Sequence, residues 1–187
     1  LTAFYTPSVL VTAIANQIQQ TFSENNLTIG SFLETSAGIK GFLPVASCGV
    51  TKKVAFEKDL VSGLVLSALN PDTQVVVDGF ETISSQDTGI NGYDVIASNI
   101  PFGNLKVYDA DFSQKGFPYS QSLKTIHNYF FIKAVTELKE GGILAFITSR
   151  GVADSPSNKF VREFLVHNAN LITTLRLPDN LFMETSG

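Results

Sequence analysis

Acidic or amide side chains recur at the ends of successive apolar segments of this chain. Four segments with the character of β-strands end at or beside such residues, namely Glu34, Glu57, Asp78 and Asn99. The stretches between them carry apolar residues at helical spacing. Strands that alternate with helices predict a doubly wound α/β fold, with a mostly parallel sheet and helices on both faces. Because ligands bind beyond the carboxyl ends of such strands, the four side chains predict one ligand site.

The individual elements follow from apolar spacing and from turn residues. Thr6 and Pro7 predict a helix start, because a hydroxyl at the N-cap followed by proline favours initiation. The apolar stripe of this helix reaches Phe22. Segment 100–120 has no clear period, and so long an irregular stretch is usually functional or mobile. We predict further helices at 60–69, 123–138 and 159–166, strands at 31–34, 53–57, 73–77, 93–97, 143–148 and 171–177, and a turn at 141–142.

The composition is that of a folded protein, since 44% of the 187 residues are hydrophobic and 16% are charged. The single cysteine, Cys48, excludes an internal disulfide framework and a cysteine-rich zinc site. It also suits a reducing compartment. No apolar run is long enough to span a bilayer, so we expect no membrane partner. With the single cysteine, this predicts a cytoplasmic protein, and we expect no bound metal. The net charge of -4 is unfavourable for a stand-alone nucleic-acid binder, but a domain that borrows contacts from another domain need not be basic.

A turn rich in small residues follows the first predicted strand, from Glu34 to Phe42. Small residues let the main chain approach a ligand closely, and Gly38 and Gly41 permit turns that are closed to other residues. The pattern is neither the G-x-G-x-x-G fingerprint nor a phosphate-binding P-loop. Glu34 would repel a pyrophosphate but suits a cationic or amino-bearing ligand. The alternative is a tight connection that binds no ligand.

Two further acids occupy equivalent positions after the next two strands. Glu57 can accept hydrogen bonds from the two hydroxyls of a ribose, as acids do in other doubly wound nucleotide-binding folds. Its alternative role is to stabilise the following helix together with Asp59. In Asp78-Gly79-Phe80, the acid can bind an adenine amino group and the phenylalanine can pack on the ring. An ordinary turn is the alternative there.

The most informative segment is Asn99-Ile100-Pro101-Phe102, at the end of the fourth strand. The Asn99 side-chain carbonyl and the main-chain carbonyl of Ile100 can accept both N–H bonds of an exocyclic amine. That arrangement favours attack by its otherwise delocalised nitrogen as charge develops. Pro101 fixes the turn, and Phe102 offers a face on which a flipped-out base can stack. The alternative is an asparagine-initiated turn with Phe102 in the core.

These segments together resemble a known family. Asn99 to Phe102 is similar to the Asn-Pro-Pro-Phe/Tyr motif of amino-group methyltransferases, with isoleucine in place of the first proline. Glu34 to Phe42 resembles their cofactor motif, with Thr35 in place of a common proline. Phe4 to Pro7 resembles the Phe-x-Thr-Pro segment of DNA adenine-N6 methyltransferases. The stretches 138–148 and 171–182 are similar to the type I modification-subunit branch.

The resemblance implies a Rossmann-like fold and methyl transfer from S-adenosylmethionine to the N6 amino group of adenine in DNA. It implies catalytic roles for Asn99, Ile100, Pro101 and Phe102. The cofactor-binding residues that we expect are Tyr5, Thr6, Pro7, Glu34, Ser36, Ala37, Gly38, Gly41, Phe42, Glu57, Lys58, Asp78, Gly79, Phe80 and Asn99. No general base is obvious, and we interpret His127 and His167 as structural.

The resemblance also bears on domains and partners. We expect residues 1–187 to form one catalytic domain of a longer protein, with the target-recognition domain outside this sequence. The expected partners are DNA, bound through that absent domain, and a specificity or restriction subunit. Two alternatives stay open. One is methylation of protein glutamine or RNA, and the other is a non-catalytic module of a mobile-element protein.

Overall fold

The computed structural model describes residues 6–39, 41–46, 49–84, 88–178 and 181–182. They group into two compact units. The first, which we call the sheet unit, comprises the described residues of 1–99, 138–146 and 177–187. The second, the helical unit, comprises 100–137 and 147–176. Whether residues 1–187 act together as one catalytic domain stays a prediction.

The described part of the chain forms a five-stranded sheet in the order β3-β2-β1-β4-β5. The pairings β1–β2, β2–β3 and β1–β4 are parallel. The chain therefore builds outward from β1 to β3 and then returns to place β4 on the other side of β1. This reversal confirms the predicted doubly wound α/β fold and puts its switch point between β1 and β4. The strands are β1 (Ser31–Glu34), β2 (Lys52–Phe56), β3 (Gln74–Val76), β4 (Tyr93–Asn99) and β5 (Leu138–Ile147).

Among the described residues, the longer helices of the sheet unit are α1 (Ser8–Glu24) and α2 (Leu60–Leu69). The residues that α1 buries recur every three or four positions, which is the spacing of one helical face. The N-cap of α2 is Asp59, whose carboxylate accepts the Ser62 N–H at 2.8 Å. All four residues of β1 are buried, so the sheet is most enclosed at its switch point. The buried residues of α1 are Val11, Ala15, Ile18 and Phe22.

The helical unit contains two short helices in the segment that lacks a sequence period, followed by three more. An aromatic cluster packs it together, with ring centroids 5.1 Å apart for Phe112 and Tyr119 and 5.8 Å apart for Tyr119 and Phe164. The described helices of this unit are α3 (Ala110–Gln114), α4 (Tyr119–Ser122), α5 (Ile126–Glu137), α6 (Gly151–Asp154) and α7 (Lys159–Asn168).

Three sequence predictions are corrected. Residues 171–177 form no strand, and Leu171, Ile172 and Leu175 are 72–80% exposed. Residues of high β-propensity form a strand only where another strand can pair with them, and no strand pairs with these. Strand β5 continues through 141–142, where we predicted a turn. A Cβ on Gly142 would approach the Asp94 carbonyl oxygen at 3.0 Å, so glycine serves close packing inside a strand. Helix α1 begins at Ser8 with Pro7 as its N-cap, one residue later than predicted.

One carboxylate joins three strands at the amino end of the sheet. Oδ2 of Asp94 accepts the N–H groups of Gly30 and Ser31 at 3.0 and 2.8 Å and the Ser31 hydroxyl at 2.9 Å. Its Oδ1 accepts Lys139 Nζ at 2.9 Å. Burial alone would raise the pKa of Asp94, but the hydrogen bonds from Lys139 and Ser31 outweigh it and hold the pKa below its usual value. Asp94 thus ties β4 to both of its neighbours.

We expect Asp94→Ala to lower the free energy of unfolding by about 2 kcal/mol or more, because two main-chain N–H groups lose their acceptor. The measurement is urea denaturation of the variant and the unaltered protein. Asp72→Ala is the control, since Asp72 forms an exposed ion pair with Lys53 and its loss should change stability much less. Equal effects of the two substitutions would contradict this role for Asp94.

Candidate active site

The turn after β1 is built around a buried carboxylate. Glu34 is fully buried, and both of its carboxylate oxygens lie 2.7 Å from the Phe42 main-chain nitrogen. Gly41 has a φ of +39°, and a Cβ there would overlap the Glu34 carboxylate. Glycine is therefore required at 41 by the neighbouring acid as well as by the backbone. Glu34 closes the segment 34–42 into a loop from the inside.

Burial raises the pKa of Glu34 well above its usual value of 4.5. The Phe42 N–H acts in the opposite direction, and the negative charge of Glu57 adds to the rise. The structure thus places Glu34 against the main chain of the loop. Glu34 would therefore act on a cofactor indirectly, by holding the main chain of this loop in position.

Glu57 holds the same loop from the next strand. Its Oε2 accepts the Gly38 N–H at 2.6 Å, and its Oε1 accepts the Asp59 N–H at 2.8 Å. Gly38 has a φ of +59°, and no atom lies within 4 Å of the position that a Cβ would take. The loop therefore presents an open main-chain face at Gly38, with a partly exposed carboxylate bound to it. The sequence pattern predicted Glu57 at this edge of the sheet, but it did not predict the hydrogen bond between Glu57 and the Gly38 N–H.

The turn after β3 is also fixed by its own side chains. Asp78 Oδ1 accepts the Gly79 N–H at 2.7 Å. Phe80 is buried, and its ring lies edge-on to that of Phe56 with centroids 6.0 Å apart. Lys58 forms an ion pair with Glu81 at 2.7 Å, which the sequence did not predict. Phe80 thus belongs to the core in this structure, and its contact with an adenine ring stays a prediction.

Strand β4 ends at Asn99, beside β1. Just before it, the buried Ser98 donates its hydroxyl to the Ser36 carbonyl at 3.4 Å, a link between β4 and the β1 loop that sequence reasoning missed. After Asn99, Ile100 is buried and its N–H is bonded to the Ile147 carbonyl at 3.1 Å. Phe102 is 43% exposed. The asparagine thus lies at the switch point, and the aromatic ring three residues later is partly exposed.

The structure brings the acids of neighbouring strands together through the 34–42 loop. The other predicted cofactor residues, Ser36, Ala37 and Phe42, lie in that loop, and Ala37 donates its N–H to the Phe56 carbonyl at 2.9 Å. Thr6 and Pro7 are half-buried ahead of α1. Tyr5 lies outside the described residues.

The comparison with protein families identifies the class to which this fold and site belong. The family described as Eco57I restriction-modification methylase matches residues 51–182. This match spans more than half of the chain. The chain belongs to that family of methylases.

Solved structures agree in fold. A protein of Listeria monocytogenes described as a class I S-adenosylmethionine-dependent methyltransferase matches 97% of this chain with a TM-score of 0.74 and 16% identity. The type I restriction-modification methyltransferase subunit of Streptococcus thermophilus matches 88% with a TM-score of 0.65 and 14% identity. A Pyrococcus horikoshii protein described as an RNA methyltransferase matches 90% with a TM-score of 0.53 and 16% identity.

This chain spans only part of the proteins that it matches. It covers 57% of the Listeria protein, 38% of the Streptococcus subunit and 77% of the Pyrococcus protein. The likeness confirms the Rossmann-like methyltransferase fold that the sequence predicted.

Two kinds of feature are absent from the described residues. No three histidine, cysteine, aspartate or glutamate side chains are grouped so that they could hold a metal ion. None of the helices described here combines the length and hydropathy needed to cross a membrane.

We expect the stability of the protein to depend on the ionisation of Glu34. Because the pKa of Glu34 is higher in the folded than in the unfolded state, the protonated acid stabilises the folded state fully below the unfolded-state pKa. This stabilisation is lost as the pH rises through the folded-state pKa. Urea denaturation from about pH 5 to about pH 9 should show this loss in the unaltered protein. Glu34→Gln cannot ionise and should not show it.

Glu140→Gln, at an exposed position, is the control for removal of one negative charge. It should retain the pH dependence of the unaltered protein. Identical pH profiles for Glu34→Gln and the unaltered protein would rule out this behaviour of Glu34.

Proposed function

We propose that this chain binds S-adenosylmethionine and transfers its methyl group to the N6 amino group of adenine in DNA. The observation that carries the proposal is the position of Asn99 at the switch point of a methyltransferase fold. There it directly precedes Ile100, Pro101 and Phe102 and lies on the strand next to the Glu34–Phe42 loop. Membership of a restriction-modification methylase family supports it.

The residues of the sheet unit fit this cofactor. A sulfonium and an α-amino group favour acidic surroundings, and the partly exposed carboxylate of Glu57 provides them beside the loop after β1. The Glu57 carboxylate can accept ribose hydroxyls, and the open face at Gly38 admits a ligand against the main chain. Asp78 is placed one strand further along for the adenine amino group. The bound cofactor would supply an electrophilic methyl group.

The target amine would be oriented by two carbonyl oxygens. Asn99 Oδ1 and the main-chain oxygen of Ile100 would each accept one N–H, which leaves the nitrogen lone pair directed away from the base plane. The hydrogen bond from Ile100 N–H to Ile147 fixes this stretch of main chain. Isoleucine is compatible with the role, because the group used is the carbonyl. We propose that the Phe102 ring, which is 43% exposed, stacks on a flipped-out base.

The choice of DNA adenine is supported by the family and by the resemblance of the two ends of the chain to adenine-N6 methyltransferases. We propose that recognition of a DNA sequence and contact with a specificity or restriction subunit reside in other parts of a longer protein. A cytoplasmic location is proposed with it, on the single cysteine.

Asn99→Ala should lower methyl incorporation into DNA by about 100-fold or more, because one of the two acceptors for the amine is removed. Affinity for the cofactor, measured by calorimetry, should stay within about threefold. Incorporation is followed with a labelled methyl group on duplex DNA. Asn104→Ala, at an exposed position of the same loop, is the control and should retain activity. Normal methylation by Asn99→Ala would refute the mechanism.

Gly38→Ala should weaken cofactor binding, because its Cβ would project into the open space beside the loop. The backbone strain of alanine at positive φ costs about 1–2 kcal/mol on its own. Gly49→Ala controls for this cost, since Gly49 also has a positive φ and open surroundings. Calorimetry should show reduced affinity for Gly38→Ala only. If the unaltered protein bound no S-adenosylmethionine, the proposed function would be wrong.

A further inference from the structure

The two units of the chain carry net charges of opposite sign. The helical unit has eight lysine and arginine residues against five aspartate and glutamate residues, a net charge of +3. The rest of the sequence has five basic and twelve acidic residues, a net charge of -7. The acidic surplus, which is unfavourable for a nucleic-acid binder, therefore lies entirely outside the helical unit. The helical unit alone has the sign of charge that attracts phosphate groups.

Two exposed lysines of this unit, Lys106 and Lys124, form no ion pair among the described residues. The Val107 N–H donates to the Leu123 carbonyl at 2.9 Å, and each lysine is the direct neighbour of one of these two residues. The main-chain positions of the two lysines therefore lie close together, so their ammonium groups can bind phosphates of the same strand. Four other cations of the unit are already paired, namely Lys115 with Asp111, Lys133 with Asp109, Arg150 with Asp154 and Lys159 with Glu163.

Exposed apolar side chains flank Lys106 in the sequence. Phe102, Leu105 and Tyr108 are 43%, 44% and 82% exposed. They occupy every third position of the stretch 100–108, which contains no acidic residue. Single exposed apolar residues are ordinary on protein surfaces, but these three form a series that is interleaved with a cation. Aromatic side chains beside lysines are the combination with which proteins bind the unpaired bases of a nucleic-acid strand.

The loop that carries these side chains is held at both of its ends. At the first end, the Ile100 N–H donates to the Ile147 carbonyl at 3.1 Å. At the other end, Asp109 is buried and its Oδ2 accepts the Tyr129 hydroxyl at 2.7 Å. Tyr108 is therefore exposed although the next residue is fixed in the core. An aromatic side chain on a restrained main chain loses less conformational entropy when it binds a ligand.

We propose that Lys106, Tyr108 and Lys124 form a surface that binds a DNA strand beside the target adenine. The two ammonium groups bind phosphates, and the Tyr108 ring stacks on an unpaired base. The choice of DNA rests on the proposed function, because a flipped-out adenine disrupts stacking and pairing in the strand around it. Stacking and phosphate contacts carry no sequence information, so recognition of a DNA sequence stays with other parts of a longer protein.

Binding of single-stranded DNA tests the surface without the cofactor. The probe is a fluorescent oligonucleotide of about 16 nucleotides, and its anisotropy gives the Kd for the chain. Tyr108→Ala should weaken binding by about tenfold, whereas Tyr108→Phe keeps an aromatic face and should stay within about twofold. Both variants should keep the Tm of the unaltered protein, because the side chain is 82% exposed. No binding by the unaltered protein at low salt, or equal affinities of the two variants, would overturn the proposal.

The salt dependence of the same binding tests the two lysines. Each phosphate contact with a single strand contributes about 0.7 to the slope of log affinity against log salt, so replacing both Lys106 and Lys124 by glutamine should reduce the slope by about 1.4. The matched control replaces two paired cations, Arg150 and Lys159, by glutamine and should leave the slope unchanged. An unchanged slope in the first double variant, or an equal reduction in the control, would contradict the assignment.

Competition identifies the kind of polymer that the surface binds. Unlabelled DNA should displace the probe, but poly-glutamate at the same concentration of charge should not, because an acidic polypeptide has no base to stack on Tyr108. Equally effective displacement by poly-glutamate would overturn the proposal. Tighter binding of an RNA strand of the same sequence would overturn the choice of DNA.

Methyl transfer assays separate this surface from the proposed function. Tyr108→Ala should raise the KM for DNA by about tenfold and leave the Kd for S-adenosylmethionine unchanged, because the expected cofactor residues lie in the sheet unit. An unchanged KM for DNA in an active enzyme would overturn the proposal. If the unaltered protein bound single-stranded DNA but transferred no methyl group, the proposed function would fail, while the binding results would still support the surface.

Discussion

The bond between the Glu34 carboxylate and the Phe42 main chain is the constraint on which the candidate site depends. A buried acid at the end of the central strand can be tolerated only because the chain turns back to give it a donor. That turn requires glycine at 41 and presents Gly38 to Glu57 on the next strand. The geometry of the turn after β1 is thus fixed from the inside by the chain's own side chains.

The sequence predicted those elements whose hydrophobic pattern is local. Strand β1 and helix α2 were predicted with the observed bounds, because each combines an apolar run with clear flanking polar or turn residues. The positions of Glu34, Glu57 and Asn99 at strand ends followed from the same pattern. Pairing between strands far apart in the chain cannot be read from local patterns, so 171–177 was assigned to the sheet although it pairs with no strand among the described residues.

Side-chain direction was beyond the sequence as well. Glu34 and Phe80 were expected to face a ligand, but the structure directs the first at the main chain and the second at Phe56. His127 was interpreted as structural because helical spacing placed it in a helix. The structure buries it with Nε2 3.4 Å from the Asn158 amide nitrogen, a contact that only the folded chain shows.

The exposed stretch 171–177 has a consequence for handling the protein. It has high β-propensity and one charge, Arg176, and it contains neither proline nor glycine. Such segments add readily to the edge of another sheet, including that of a neighbouring molecule. Aggregation of this polypeptide should therefore increase with its concentration, and a charged replacement at Ile172 should reduce it without altering the turn after β1.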